Sequence, residues 1–101
     1  MKAIDVIMFD LKESCDLKDF SEVVITEIAE NDFKIEYHKN DPYHGFVYYE
    51  KITETEDAYE CSIYESAYGD PCILIRDKNL RCLQILDIDT REVIRDFRES
   101  H

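Results

Sequence analysis

Residues 33–38, Phe-Lys-Ile-Glu-Tyr-His, alternate between apolar and polar side chains, and this period of two limits the fold more than any other feature of the chain. Phe33, Ile35 and Tyr37 point one way and Lys34, Glu36 and His38 the other, the pattern of a strand with one face buried. The pattern returns at Tyr59, Cys61 and Ile63, which alternate with Glu60, Ser62 and Tyr64. Between the two lies Phe46–Ile52, rich in the aromatic and β-branched residues that suit a pleated surface. Helical periodicity is scarce, so the centre of the chain predicts three neighbouring antiparallel strands.

The flanks extend this reading. Ala3–Leu11 and Glu22–Ile28 are apolar enough to be covered strands on either side of a polar loop over Lys12–Asp19. A helix over Leu17–Glu30 is the rival reading, but Val23-Val24-Ile25-Thr26 is β-branched throughout and favours strand. Glu30-Asn31-Asp32 then supplies a turn. Downstream, Gly69-Asp70-Pro71 breaks the chain before a strand at Cys72–Ile75, Asp77-Lys78-Asn79 turns it, and Leu80–Ile88 reads as another strand. The last segment has two readings. Asp89 and Glu92 have capping-box spacing, with Val93, Ile94 and Phe97 on one helical face. The same residues also read as strand, polar turn and strand, with Asp89 and Thr90 as turn formers. The hairpin is favoured. The expectation is an all-β antiparallel meander of seven or eight short strands forming a small barrel or sandwich. The alternative is an α+β sheet with one C-terminal helix.

With 101 residues the chain is long enough for a single domain with one core, residues 1–101. The charge is unevenly distributed. Residues 1–75 hold 18 acids against 6 lysines, whereas residues 76–101 hold 6 acids and 6 bases, including every arginine. All seven tyrosines lie between Tyr37 and Tyr68, inside the acidic region. Such a balance repels nucleic acid and attracts basic proteins. The amino-terminal apolar run Val6–Phe9 is too short for a signal core or a membrane span, so a cytoplasmic protein is expected. The four cysteines are expected as reduced thiols packed in or near the core.

Chemistry-bearing patterns are sparse. The loop His38–Gly45 brings His38, Asp41 and His44 together, but no further ligands arrive at recognisable spacing, and Pro42 and Gly45 account for it as a turn. Acid pairs such as Asp87 and Asp89 arise by chance among 24 carboxylates, and no calcium-loop pattern is present. The serines lack a nucleophile elbow, and two glycines cannot build a phosphate-cradling loop. The expectation is therefore a protein that is not an enzyme and uses no cofactor or metal.

The segment Tyr48–Tyr68 interleaves tyrosines with carboxylates. Tyr43, Glu50, Glu54, Glu56, Asp57, Glu60, Tyr64, Glu65 and Tyr68 are the candidate partner-binding residues. Spaced carboxylates imitate a phosphate backbone, and exposed tyrosine adds rigid contact area. The expected partner is a basic protein, such as a nuclease or another nucleic-acid-binding protein, whose basic cleft the chain would occupy. There would be no direct contact with nucleic acid or membrane. In small size and lack of catalytic chemistry the chain is similar in type to phage anti-defence proteins, including anti-CRISPR proteins, and to toxin-immunity proteins, a likeness carried by no family motif. The alternative is a non-inhibitory homodimer or small-subunit assembly module. A net charge of −12 makes the compact state repel itself, so the thermal midpoint should rise with added sodium chloride. Melting curves at low and moderate salt test this.

Overall fold

The computed structural model describes residues 2–14, 20–39, 45–66 and 70–98. A helix, α1 (Ala3–Ser14), precedes seven strands: β1 (Phe20–Ala29), β2 (Asp32–Lys39), β3 (Gly45–Glu54), β4 (Ala58–Ser66), β5 (Cys72–Asp77), β6 (Cys82–Asp87) and β7 (Val93–Asp96). The strands form one sheet in sequence order, every neighbouring pair antiparallel. The expected meander is present, with β1 and β7 at the two edges of a single sheet. One helix joins it, at the amino end of the chain and not at the carboxyl end.

α1 corrects the expectation of a strand over Ala3–Leu11 followed by a loop from Lys12. Val6, Ile7, Asp10 and Leu11 are buried while Asp5, Met8 and Lys12 are exposed, a stripe with helical and not strand spacing. The apolar run Val6–Phe9 imitates a strand only because it is short. The Lys2 amide donates to the Asp5 carboxylate at 3.1 Å, as a third-position acid does when it reaches back to a helix cap. Asp5 in the first turn and Lys12 in the last also oppose the helix dipole favourably.

The remaining elements follow their local chemistry. Phe20–Ala29 is strand and not helix, consistent with its β-branched centre. The β1–β2 turn places Asn31 at φ 57°, a left-handed position that asparagine tolerates well, and the Glu27 carboxylate accepts the Asn31 amide at 3.1 Å. Asp77 turns the chain between β5 and β6 by accepting the amides of Asn79 and Arg81 at 2.8 and 3.0 Å. Leu80, expected within a strand, instead sits in this turn at φ 68° with its side chain buried. Between β6 and β7, Asp87 accepts the amides of Asp89 and Thr90, both at 2.9 Å. These two amides hold the Asp87 carboxyl below its usual range. The favoured hairpin is thus the one that forms, because Asp87 satisfies the turn amides that a helix would have needed at its start.

Register sorts the side chains by face. Ile25 pairs with Ile35 and Ile35 with Tyr48, while Phe33 pairs with Glu50 and Glu50 with Ile63. Val6, Ile7 and Leu11 of α1 close over this inner face, against Phe33, Ile35, Tyr37, Tyr48, Ile52, Tyr59 and Cys61. The inward assignments of Tyr37, Tyr59 and one of the pair Tyr48 and Tyr49 hold: Tyr37, Tyr48 and Tyr59 are buried. Cys61, Cys72 and Cys82 are free thiols, Cys61 in the core; Cys15 lies outside the described residues. On the opposite face Ile73 and Leu86 pair and are buried. No described helix is long and apolar enough to cross a membrane.

Leu11 is fully buried between α1 and the sheet, so Leu11→Ala should cost about 2–5 kcal/mol of unfolding free energy by opening a cavity there. Urea unfolding should show a lower midpoint at an unchanged slope.

Candidate functional site

The candidate partner-binding residues do not form one surface. Glu54 ends β3, and Glu56 and Asp57 occupy the β3–β4 turn; all three are exposed. That turn is closed by Thr55, whose amide donates to the Ala58 carbonyl at 2.8 Å. Glu60 lies on the outer face of β4 and is ion-paired with Arg91. Tyr64 is on the same outer face: its hydroxyl donates to Asp32 at 2.7 Å and its ring lies 5.9 Å from that of Tyr49. Partial desolvation and the Asp32 carboxylate push the Tyr64 phenol up to about 12. Glu65 is exposed opposite Tyr49. Tyr43 and Tyr68 lie outside the described residues, as do Asp41 and His44 of the histidine loop.

Glu50 is the correction. Expected on the surface of this hairpin, it is completely buried in the middle of the inner face, between Tyr48 and Ile52 on β3. Three further groups meet it: Asp10 from α1, Arg76 from β5 and Cys61 from β4, all buried. The Arg76 Nε lies 2.6 Å from the Asp10 Oδ1, a close charge contact without the alignment of a hydrogen bond. The rest of the guanidinium is directed elsewhere, Nη1 to the Leu80 carbonyl at 2.7 Å and Nη2 to Glu13 at 3.2 Å. The guanidinium carbon also sits 5.3 Å from the centre of the Phe9 ring, within cation–π range. Among the described residues no N–H group reaches either oxygen of Glu50, whose polar contacts are the Asp10 carboxyl and the Cys61 thiol.

This arrangement has a definite electrostatic consequence. Two buried carboxyls face one guanidinium, so ionising both leaves an uncompensated charge in a medium of low dielectric. Burial raises the pKa of both, and for Glu50 the contact with Asp10 adds to the rise. Arg76 opposes the rise, and its direct contact is with Asp10. Asp10 is therefore the carboxyl that Arg76 holds in its ionised form, and Glu50 is the one that keeps its proton to higher pH. Burial, followed by the neighbouring Asp10 and Glu50, also pushes the Cys61 thiol up. Close by, the hydroxyls of Tyr37 and Tyr48 meet at 3.4 Å.

A cleft of about 560 Å³ opens between the start of α1 and one end of the sheet. Its lining is apolar at Ile4, Ile25, Phe33 and Ile52, with Glu27 and Glu54 among its charged residues. Both carboxylates belong to hairpin ends, those of β1–β2 and β3–β4.

The fold and site define the chain as a single-sheet antiparallel meander, sealed on one face by an amino-terminal helix over a buried ionic cluster. No family model, no curated protein and no solved structure matches it.

The raised pKa of Glu50 makes stability depend on pH. Its folded pKa exceeds its unfolded one, so the stability it contributes is complete below the ordinary carboxyl range and is lost as pH rises through the raised value. Glu50→Gln keeps the shape and removes the titration. In chelator-containing buffer the variant should be the more stable protein at about pH 8, with the difference shrinking toward about pH 5. Parallel thermal midpoints across this range would sink the assignment of the proton to Glu50.

Proposed function

We propose that this protein binds a basic protein through the acidic end of its sheet, and that it acts by occupying a cationic cleft which would otherwise hold nucleic acid. The observation that carries this reading is the placement of charge. In a meander, alternate turns lie at the same end of the sheet, so the β1–β2, β3–β4 and β5–β6 turns stand together. Glu27, Glu30, Glu54, Glu56 and Asp57 are exposed there. Among the described residues no ion pair reaches Glu30, Glu56 or Asp57, and Lys78, 3.5 Å from Glu54, is the only cation bridged to these five acids.

Four of the five arginines offer little to offset this charge. Arg76 is buried against Asp10 and Glu13, Arg91 is paired with Glu60 and Arg98 with Asp96, and Arg95 lies over the Phe97 ring. Most of the cationic tail is thus engaged by its own neighbours, and at the acidic end only Lys78 and the exposed Arg81 of the β5–β6 turn stand among the described cations beside the acids of the β3–β4 turn. Carboxylates on adjacent turns offer an array of negative charge comparable to a stretch of phosphate backbone, and the neighbouring cleft accepts the aliphatic stem of a lysine or arginine. Electrostatic attraction of this kind acts mainly on the rate of association.

A second reading has its own observation. β7 is an edge strand, and Val93, Ile94 and Phe97 around it are exposed. An apolar edge with unpaired backbone groups invites pairing with another strand, which supports the assembly-module alternative.

Reversing charge at the tip, with Glu54, Glu56 and Asp57 changed to Lys, should slow association with a basic nuclease partner by roughly tenfold or more and flatten its salt dependence, while melting stays cooperative. Unchanged association, combined with a light-scattering mass of two chains that falls to one in an Ile94→Lys variant, would replace this reading with the assembly module.

A further inference from the structure

We propose that Asp10, Glu50 and Cys61 form a binding site for one divalent ion of the zinc type, which pins α1 to β3 and β4. One carboxylate oxygen from each acid and the Cys61 Sγ all lie within 4.8 Å of one another. A tetrahedral zinc ion holds oxygen ligands at about 2.0–2.2 Å and sulfur at about 2.3 Å, so three donors this close need only a small inward movement to share one.

The independent observation is Glu50 itself. It is 0 % exposed, and among the described residues no N–H group reaches either of its oxygens; its close polar neighbours are Asp10 and Cys61, the other two donors of the proposed site, although buried carboxylates are normally satisfied by such groups. Arg76 does not supply the missing partner, because its nitrogens are directed to Asp10, Glu13 and the Leu80 carbonyl.

Charge and donor type select the ion. With both carboxyls and the thiol deprotonated the three ligands carry three negative charges; Arg76 offsets one and a divalent ion the other two. A thiolate beside two carboxylates suits a borderline ion, whereas magnesium and calcium call for more oxygen donors and no sulfur. Arg76 then has the place of an outer partner that orients a ligating carboxylate, at Asp10. The donors come from a helix and two strands far apart in the sequence, so they show none of the short ligand spacings by which such sites are recognised. The ion would replace the proton on Glu50 and would stabilise the fold without contributing a reaction.

The test is to refold the full chain from urea with cobalt(II) and then displace the cobalt with zinc. One cobalt per chain should bind and give the near-ultraviolet charge-transfer band of a thiolate ligand, which zinc removes. Cys61→Ser should abolish the band while Cys72→Ser and Cys82→Ser keep it, and Glu50→Gln should weaken binding by roughly tenfold or more. Absence of the band in the refolded wild type would overturn the proposal whatever the variants do. So would a band that survives Cys61→Ser or is lost in Cys72→Ser or Cys82→Ser.

Discussion

The contact of Arg76 with Asp10 is the interaction on which the rest of the structure depends. Among the described residues the seven-stranded sheet has two faces and one helix to cover them, so α1 must be held in one position and one rotation. The apolar residues Val6, Ile7 and Leu11 supply the burial, but hydrophobic contact is non-directional and tolerates sliding. A buried carboxylate does not, since moving Asp10 away from Arg76 would strand a charge in the core. The pair therefore fixes which face of α1 meets the sheet, and Arg76 carries that constraint on to Glu13 and the β5–β6 turn at Leu80.

Glu50 is the cost of this arrangement. A second acid at the centre of the inner face is expensive to bury ionised, since among the described residues no N–H group reaches its oxygens. Replacement by an apolar residue of similar size would relieve that cost. A group that stabilises a fold poorly in one protonation state is well suited to a role in which a proton or a cation is exchanged, and this links the acid titration to the proposed ion site.

The same folding pattern separates the charges. Pairing of Arg91 with Glu60 and of Arg98 with Asp96 uses cations at the carboxyl-terminal side of the sheet, and the latter pair holds Asp96 down at about 2. At the hairpin ends that carry Glu30, Glu56 and Asp57, the one ion pair among the described residues is that of Lys78 with Glu54. The proposed partner surface is therefore a product of topology: sequence alone places these acids on two turns, and the meander brings the turns to one end.

What the sequence by itself determined was set by local rules. Period-two alternation defined β2 and β4, the β-branched run Val23–Thr26 defined β1, Asp77-Lys78-Asn79 marked the β5–β6 turn and Asp89-Thr90 the β6–β7 turn, because each acts through neighbours a few residues away. It also determined that Tyr37 and Tyr59 point inward. Only the tertiary structure decided the state of Ala3–Leu11, whose short apolar run suits strand or helix until its buried stripe is seen against the sheet. It also decided the fate of Glu50. Glu50 shares parity with Tyr48 and Ile52, but the sequence left open whether Tyr48 or Tyr49 faces inward, and an isolated acid reads as exposed because the groups that make its burial tolerable come from elsewhere in the chain. Charge compensation acts through space, and Asp10, Glu50, Cys61 and Arg76 become neighbours only when α1 lies across β3, β4 and β5.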